Sequence, residues 1–333
     1  MTTRREFLQT SLALTTSLAV GAIHAPALLR ASEDQPASGK LTIGMITDVH
    51  QDIMHDATER ITAFVDDMNT KRADLVLNLG DFCVPKPANQ PFLDAWNKFA
   101  GPRFHVLGNH DMDGGYKREQ TVEFYKMPAR YYSFDHSGIH FVVLDANDPD
   151  GKTKGYQRYI AADQLKWLAD DLAQTKLPTL IAVHQPFDAF DKVCTNAADI
   201  RAVLKQANDA AGFRKVMAVF SGHIHADYLL ETDGIAYIQL NSASYVWVNK
   251  PHKSYSDEIH AEHKYLSHVC PYEKPLWATV TINFDQGLIE LTGRESKWVG
   301  ATPWDLGLSE ATYGYSREHC RPAITERKLK LPS

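Results

Sequence analysis

The chain has 333 residues, 44% of them hydrophobic and 23% charged, with a formal net charge of −6. That length suits one large domain or two modest ones. The negative balance argues against binding nucleic-acid duplexes, which needs a basic face, but it leaves room for an anionic substrate, because a metal cluster dominates the field at its own site.

Residues 1–31 read as an address rather than as fold. "TTRREFLQT" carries Arg4 and Arg5, "SLALTTSLAVGAI" is a short, weakly apolar run, and "HAPA" supplies small residues for cleavage. This is the order of an export signal, and Thr-Arg-Arg-x-Phe-Leu resembles the twin-arginine type, whose partner is the twin-arginine export machinery. The run falls well short of the ~20 apolar residues of a membrane span. A periplasmic or secreted protein with no span after cleavage is expected, cut after Ala25, Ala27 or Ala31. Export of a folded chain suits a protein whose metals are loaded beforehand.

A polar link, "SEDQPASG", leads into a main domain expected over 40–300, with an extension over 301–333. "LTIGMIT" predicts a strand. In "ERITAFVDDM", Ile61, Phe64, Val65 and Met68 share one helical face. "ADLVLNLG" predicts a strand, "FLDAWNKFA" a short helix, and "RFHVLG" and "HFVVLDA" two strands. "AADQLKWLADDLAQT" predicts a helix with Leu165, Leu168 and Leu172 inward, "TLIAVH" a strand, and "NAADIRAVLKQAN" a helix that Asn196 is placed to cap. "VMAVFSG", "IAYIQLN", "ATVTINF" and "LIELTG" follow as strands. Early strands alternate with helices and late strands follow one another. That order predicts an α/β fold, a four-layer αββα sandwich of two mixed β-sheets flanked by helices.

One segment breaks the regularity. Tyr245 to Trp277 is rich in His and Tyr and shows no period; loops of such length are commonly functional. An insertion over 245–277 is expected, forming a lid whose Tyr245, Trp247 and Tyr255 touch the leaving group. The cysteines, Cys83, Cys194, Cys270 and Cys320, have no C-x-x-C spacing, which disfavours a zinc-thiolate site. In an oxidising compartment they allow three pairings, and a bridge between Cys270 and Cys320 is the preferred one.

Five strand ends carry the chemistry. "TDVH" gives Asp48 and His50, "GDF" gives Asp81, "GNHD" gives Asn109, His110 and Asp111, "HQP" gives His184, and "GHIH" gives His223 and His225. Sites in α/β sheets lie beyond the carboxyl ends of strands, so the five loops can converge. Carboxylate, imidazole and amide donors without thiolate suit Mn, Fe or Zn. Two such ions about 3.5–4 Å apart clamp the attacking and leaving oxygens of a phosphoryl displacement and acidify a water.

This ordered set, D-x-H, G-D, G-N-H-D, H and G-H-x-H, resembles the calcineurin-like metallophosphoesterase superfamily, from about Leu41 to Ser242. "DQLKWLADDL" also resembles a helix common in its members. The resemblance implies two divalent or trivalent transition-metal ions. Asp48, His50 and His225 would hold one, Asn109, His184 and His223 the other, with Asp81 bridging. It implies that His110, oriented by Asp111, stabilises the transferring phosphoryl group or protonates the leaving oxygen.

The departures narrow the group. Protein Ser/Thr phosphatases carry G-D-x-V-D-R-G and G-N-H-E, where this chain has "GDFCVPK" and "GNHD". Purple acid phosphatases place a Tyr three residues after the bridging Asp, where Val84 stands here. What remains looks like the bacterial group with cyclic-nucleotide phosphodiesterases. The expected substrate is a small phosphoester, most readily a diester, with a monoesterase or nucleotidase and a non-catalytic metal-binding scaffold as alternatives. Outside the motifs, His55 reads as solvated, His105 as a satisfied core histidine, and Asp145 and Asn147 as a structural turn. His252, His260, His263 and His268 are too irregularly spaced to predict a third metal site.

Overall fold

The computed structural model describes residues 39–188, 194–310 and 316–331, so the export signal expected over 1–31 lies outside the described residues. β1 (Lys40–Ile46), α1 (Ala57–Lys71), β2 (Leu75–Asn78), α2 (Gln90–Trp96) and β3 (Arg103–His105) form parallel crossovers. After α3 (Arg118–Phe124), the hairpin β4 (Tyr132–His136) and β5 (Ile139–Val143) opens a second sheet. It continues through α4 (Ala162–Gln174), β6 (Thr179–Ala182), α5 (Ala197–Ala211), β7 (Val216–Ser221), β8 (Tyr228–Thr232) and β9 (Ile235–Gln239). A ribbon of β10 (Tyr245–Trp247) and β11 (Val269–Pro271) encloses α6 (Asp257–Glu262). The chain then returns to the first sheet as β12 (Ala278–Asn283), β13 (Leu288–Thr292) and β14 (Arg327–Lys330).

Each sheet has six strands, ordered β14-β13-β12-β1-β2-β3 and β4-β5-β6-β7-β9-β8. Both are mixed: β1–β2–β3 and β5–β6–β7–β9 are parallel, and the flanking strands are antiparallel.

Side-chain alternation assigns the layers. Along β6 and the residue after it, Leu180 and Ala182 enter the main core while Ile181 and Val183 enter a second one; on β9, Ala236 and Ile238 do the same opposite Ile235 and Tyr237. The second core is closed by Leu168 and Leu172 of α4 and Ile200 and Leu204 of α5. Leu165 is only partly buried there. In the main core, Phe104 of β3 stacks on Phe134 of β4 with centroids 3.7 Å apart, joining the two sheets. On the far side of the first sheet, Phe64 of α1 stacks on Trp96 of α2 at 5.9 Å. Helix, sheet, sheet and helix are therefore stacked as the periodicity predicts. Each fully buried Leu, Ile or Phe contributes about 1.5–3 kcal/mol to holding the layers together.

The segment from 301 onward is less separate than an extension. β14 pairs with β13 as the edge of the first sheet, and Arg327 is ion-paired at 2.9 Å with the buried Asp227 beside β8. The 245–277 segment is also anchored, because Tyr245, Val246, Leu266, Val269 and Tyr272 belong to the main core. Asn196 occupies the N-cap position of α5, yet its amide bonds the Ile160 backbone instead of the helix.

The expected Cys270–Cys320 bridge is not formed. The Cys270 sulfur is unbridged and lies 3.9 Å from His252 Nε2. Cys320 packs in a separate apolar cluster with Ile224, Ala226 and Tyr228. Among the described residues, no helix is long and apolar enough to cross a membrane.

Candidate metal centre

The loops that follow β1, β2, β3, β6 and β7 meet at the carboxyl ends of the two sheets. Backbone bonds lace them together: Asp48 N–H donates to Gly80 O at 2.9 Å, His50 N–H to Asp81 O at 3.0 Å, and Gly222 N–H to His184 O at 3.1 Å. The turns are sharp. Among the described residues, five of the ten non-glycine residues with positive φ are Asp48, His50, Asp81, His223 and His225, at 52–73°. Such conformations cost about 1–3 kcal/mol each and persist where surrounding structure enforces them, commonly at functional sites.

The packing is equally tight. A Cβ on Gly108 would overlap the Asp81 backbone and carboxylate, and one on Gly222 would overlap Thr47 Oγ1 and Asp48. The glycines of "GNHD" and "GHIH" are there so that neighbouring loops can touch.

Two donor groups result, Asp48 with His50 and His225, and Asp81 with His184 and His223. Within each group, all ligand atoms lie within 4.8 Å of one another. In the first, His225 Nε2 is 3.1 Å from Asp48 Oδ1 and 3.3 Å from His50 Nε2. In the second, His184 Nε2 is 3.1 Å from Asp81 Oδ2. That same oxygen is 3.7 Å from His50 Nε2, so Asp81 stands between the groups.

The outer contacts aim these donors inward. His225 Nδ1 is 2.7 Å from Tyr245 O and His184 Nδ1 is 2.8 Å from Leu79 O, which turns each Nε2 toward the centre. Asp48 Oδ2 accepts from Thr47 Oγ1 at 2.6 Å and His223 N–H at 3.0 Å, while its Oδ1 has no hydrogen-bond partner. Asn109 Oδ1 and His184 Nε2 are also buried without one. Orphaned buried polar atoms are costly, and Asp48 Oδ1 and His184 Nε2, one in each donor group, fit metal ligation.

The electrostatics agree. Burial opposes ionisation of Asp48 and Asp81, yet the surrounding imidazoles outweigh it and hold both carboxyls below the usual range. Burial likewise disfavours charge on His184, but Asp81 and Asp48 raise it to about 9. Burial pushes His50 down and takes His223 to about 3, keeping both rings neutral. Two buried carboxylates that demand positive charge, beside the neutral His50 and His223, suit a pair of cations.

His110 lies at the edge of this cluster, its backbone N–H bonded to Asp81 Oδ1 at 2.8 Å. Its ring centroid is 5.2 Å from that of His50. The residue that orients it is not Asp111. Asp113 Oδ2 lies 2.6 Å from His110 Nδ1, and the Tyr156 hydroxyl lies 3.0 Å from that nitrogen and 2.8 Å from Asp113 Oδ1.

Asp111 points the other way, into the protein. It accepts the Gly108, Phe82 and Cys83 N–H groups at 2.8, 2.6 and 3.1 Å and lies 3.0 Å from the Tyr125 hydroxyl. Burial first, then the Asp81 charge, raises its carboxyl to about 7. Asp111 is thus a brace between the loops after β2 and β3.

The remaining histidines stay outside the centre. His105 is buried, stacks on Tyr125 at 4.5 Å and meets Asn78 at 3.2 Å. His55 packs on Tyr255 with centroids 4.4 Å apart. His260 Nε2 accepts the Ser254 and Tyr255 N–H groups. Asp145 belongs to a buried ion-pair network with Arg118 and Arg130, each 3.1 Å away. No third donor group is formed among the described residues.

Next to the metal centre opens a cavity of 530 Å³, which shares Asp52, Ile53, His110 and Asp113 with a smaller cleft over His50 and Asp81. Asp113, Tyr156 and the cavity's ion pair, Asp52 with Lys86 at 2.6 Å, carry no motif. Only the i, i+3 spacing of Asp113 from His110 hinted at contact.

A family model described as calcineurin-like phosphoesterase matches residues 41–227. The chain is 27% identical over 205 residues to a Synechococcus protein named "Probable cyclic nucleotide phosphodiesterase", covering 57% of this chain and 75% of that protein. It is 27% identical over 180 residues to purple acid phosphatase 23 of Arabidopsis thaliana, covering 45% of this chain and 37% of the plant protein. The chain therefore spans little more than a third of that relative. A solved dimetal phosphatase from Danio rerio shares the fold, with a TM-score of 0.56 at 17% identity, over 78% of this chain and 98% of that one.

Proposed function

The chain belongs to the calcineurin-like phosphoesterase family, and from that premise we propose that it hydrolyses small phosphoesters, diesters foremost, with two metal ions. The observation that carries this reading is Asp81, whose Oδ2 lies between the two donor groups, 3.1 Å from His184 and 3.7 Å from His50. Asp48, His50 and His225 would hold one ion and Asn109, His184 and His223 the other. The oxygen, nitrogen and amide donors favour Mn, Fe or Zn. When bound, such a pair neutralises charge on the phosphoryl oxygens and acidifies water.

The protein's own groups do the rest. Asp113 and Tyr156 fix Nδ1 of His110, which leaves Nε2 as the ring nitrogen without a protein hydrogen bond among the described residues. From there it donates a proton to the departing oxygen, the work of a positioned general acid. The ribbon carries Trp247 over the cleft, its ring 5.9 Å from that of His110 and 6.0 Å from that of His50. Trp247 thereby keeps bulk water from that side.

Turnover of bis(p-nitrophenyl) phosphate, p-nitrophenyl phosphate and nucleotides by metal-loaded protein tests the reading and separates diesterase from monoesterase. Hydrolysis of none of them contradicts it. The leader read at residues 1–31 supports export of the folded chain, which a twin-arginine-dependent reporter fusion would check.

A further inference from the structure

The cavity beside the metal centre is walled by four aromatic side chains, Tyr116, Tyr156, Trp247 and Tyr265. Its 530 Å³ lies within the range of small-molecule sites, about 300–1,000 Å³. Among the described residues, Tyr156 and Tyr265 are the exposed large hydrophobics, at 48% and 64%. A lone exposed aromatic is unremarkable. Two that stand on the rim of a single cavity mark a binding surface.

Two separate parts of the chain build the walls. Trp247 is held in the ribbon by pairing with Val269, and Tyr265 arrives from the turn that follows α6. Tyr116 and Tyr156 come from the loops around α3 and before α4. Among the lining residues, Asp52 accepts Val84 N–H at 2.8 Å and Asn89 Nδ2 at 2.9 Å while holding Lys86, which fixes a donor and an acceptor against the cavity.

Position decides what enters. His110 and Asp113 line both this cavity and the cleft over His50 and Asp81. An ester oxygen departing toward His110 therefore carries its substituent into the aromatic cavity. Flat π-faces beside a polar pair suit a planar ring, which gains stacking that a saturated ring of equal size does not.

We propose that this cavity is the leaving-group subsite, and that it selects phosphoesters whose departing alcohol bears a planar aromatic ring. The inference rests on the phosphoester reading and names the substrate class for that site.

The test compares dibenzyl phosphate with bis(cyclohexylmethyl) phosphate, which are close in size and in leaving-alcohol acidity, or the corresponding monoesters if monoesters are the class turned over. Wild-type kcat/KM favours the benzyl ester by about tenfold or more, as stacking on aromatic side chains commands. That ratio falls several-fold in Tyr265→Ala, which alters only an exposed rim residue, and further in Trp247→Leu. Equal kcat/KM for the two esters in the wild type, or a ratio unmoved by both variants, overturns the subsite. No hydrolysis of any ester, p-nitrophenyl controls included, overturns the phosphoester reading and this inference with it.

Discussion

Nδ1 of His110 lies 2.6 Å from Asp113 Oδ2, and the Tyr156 hydroxyl bridges the two residues, 3.0 Å from that nitrogen and 2.8 Å from Asp113 Oδ1. Burial alone would depress the His110 pKa, but the Asp81 charge and the Asp113 hydrogen bond raise it. Asp113→Asn is expected to lower kcat about 10- to 100-fold, the usual effect of losing an outer hydrogen-bond partner. KM and metal content should stay close to wild type, because Asp113 touches no donor group. Steady-state kinetics beside elemental analysis checks this, and an unchanged kcat removes the role.

Asp111→Ala should behave differently. It strands the buried N–H groups of Gly108 and Phe82, at about 1–3 kcal/mol for each left unpaired, while the Cys83 N–H keeps the Tyr125 hydroxyl. The expected signature is a clear loss of stability in denaturant unfolding, accompanied by weaker metal retention. A variant as stable as wild type would show that the brace is dispensable.

Gly222→Ala places a methyl where Thr47 Oγ1 and Asp48 already sit. The loop after β7 must move, and it carries His223 and His225 with it. The variant should fold, since overpacking typically costs about 1–3 kcal/mol, but it should bind metal at least tenfold more weakly. Competition with a chromogenic chelator measures this, and wild-type affinity would contradict the packing argument.

Far from the centre, buried His140 is clamped between Asp171 at 2.9 Å and Asp135 at 2.6 Å, and Asp171 also accepts from Ser133 at 2.9 Å. Burial disfavours its charge, but the two carboxylates win and raise its pKa. A group whose pKa is higher folded than unfolded stabilises fully below the unfolded value, near 6.5, and loses that contribution as pH rises through the folded value. His140→Ala should therefore destabilise most below about pH 6.5, by roughly 3–5 kcal/mol as for a broken buried pair. The gap to wild type should narrow in alkaline solution. A gap independent of pH in urea titrations would refute the clamp.

The candidate donors stood out because metal chemistry restricts residue type and because each motif follows a short apolar run, which the structure forms as a strand. Asp48, Asp81 and His184 were therefore legible from their positions. Asp113 was not, since it sits in a kinked turn at ψ 158°, where helical spacing stops predicting neighbours. Tyr156 comes from an aperiodic loop 46 residues from His110. The edge strands β8 and β14, "YLLET" and "RKLK", escaped for a related reason. One face of an edge strand is polar, and pairing along a single side leaves only a weak alternation. Asp111 misled because sequence adjacency suggests contact, while the turn sends its carboxylate back under the loop.

Metal content per chain, measured by elemental analysis on wild type and Asp81→Ala side by side, bears most directly on the paired centre. Two ions in the wild type, falling below one in the variant together with activity, is the predicted result. An Asp81→Ala protein that keeps both ions, or a metal-free wild type that still hydrolyses phosphoesters, would contradict it.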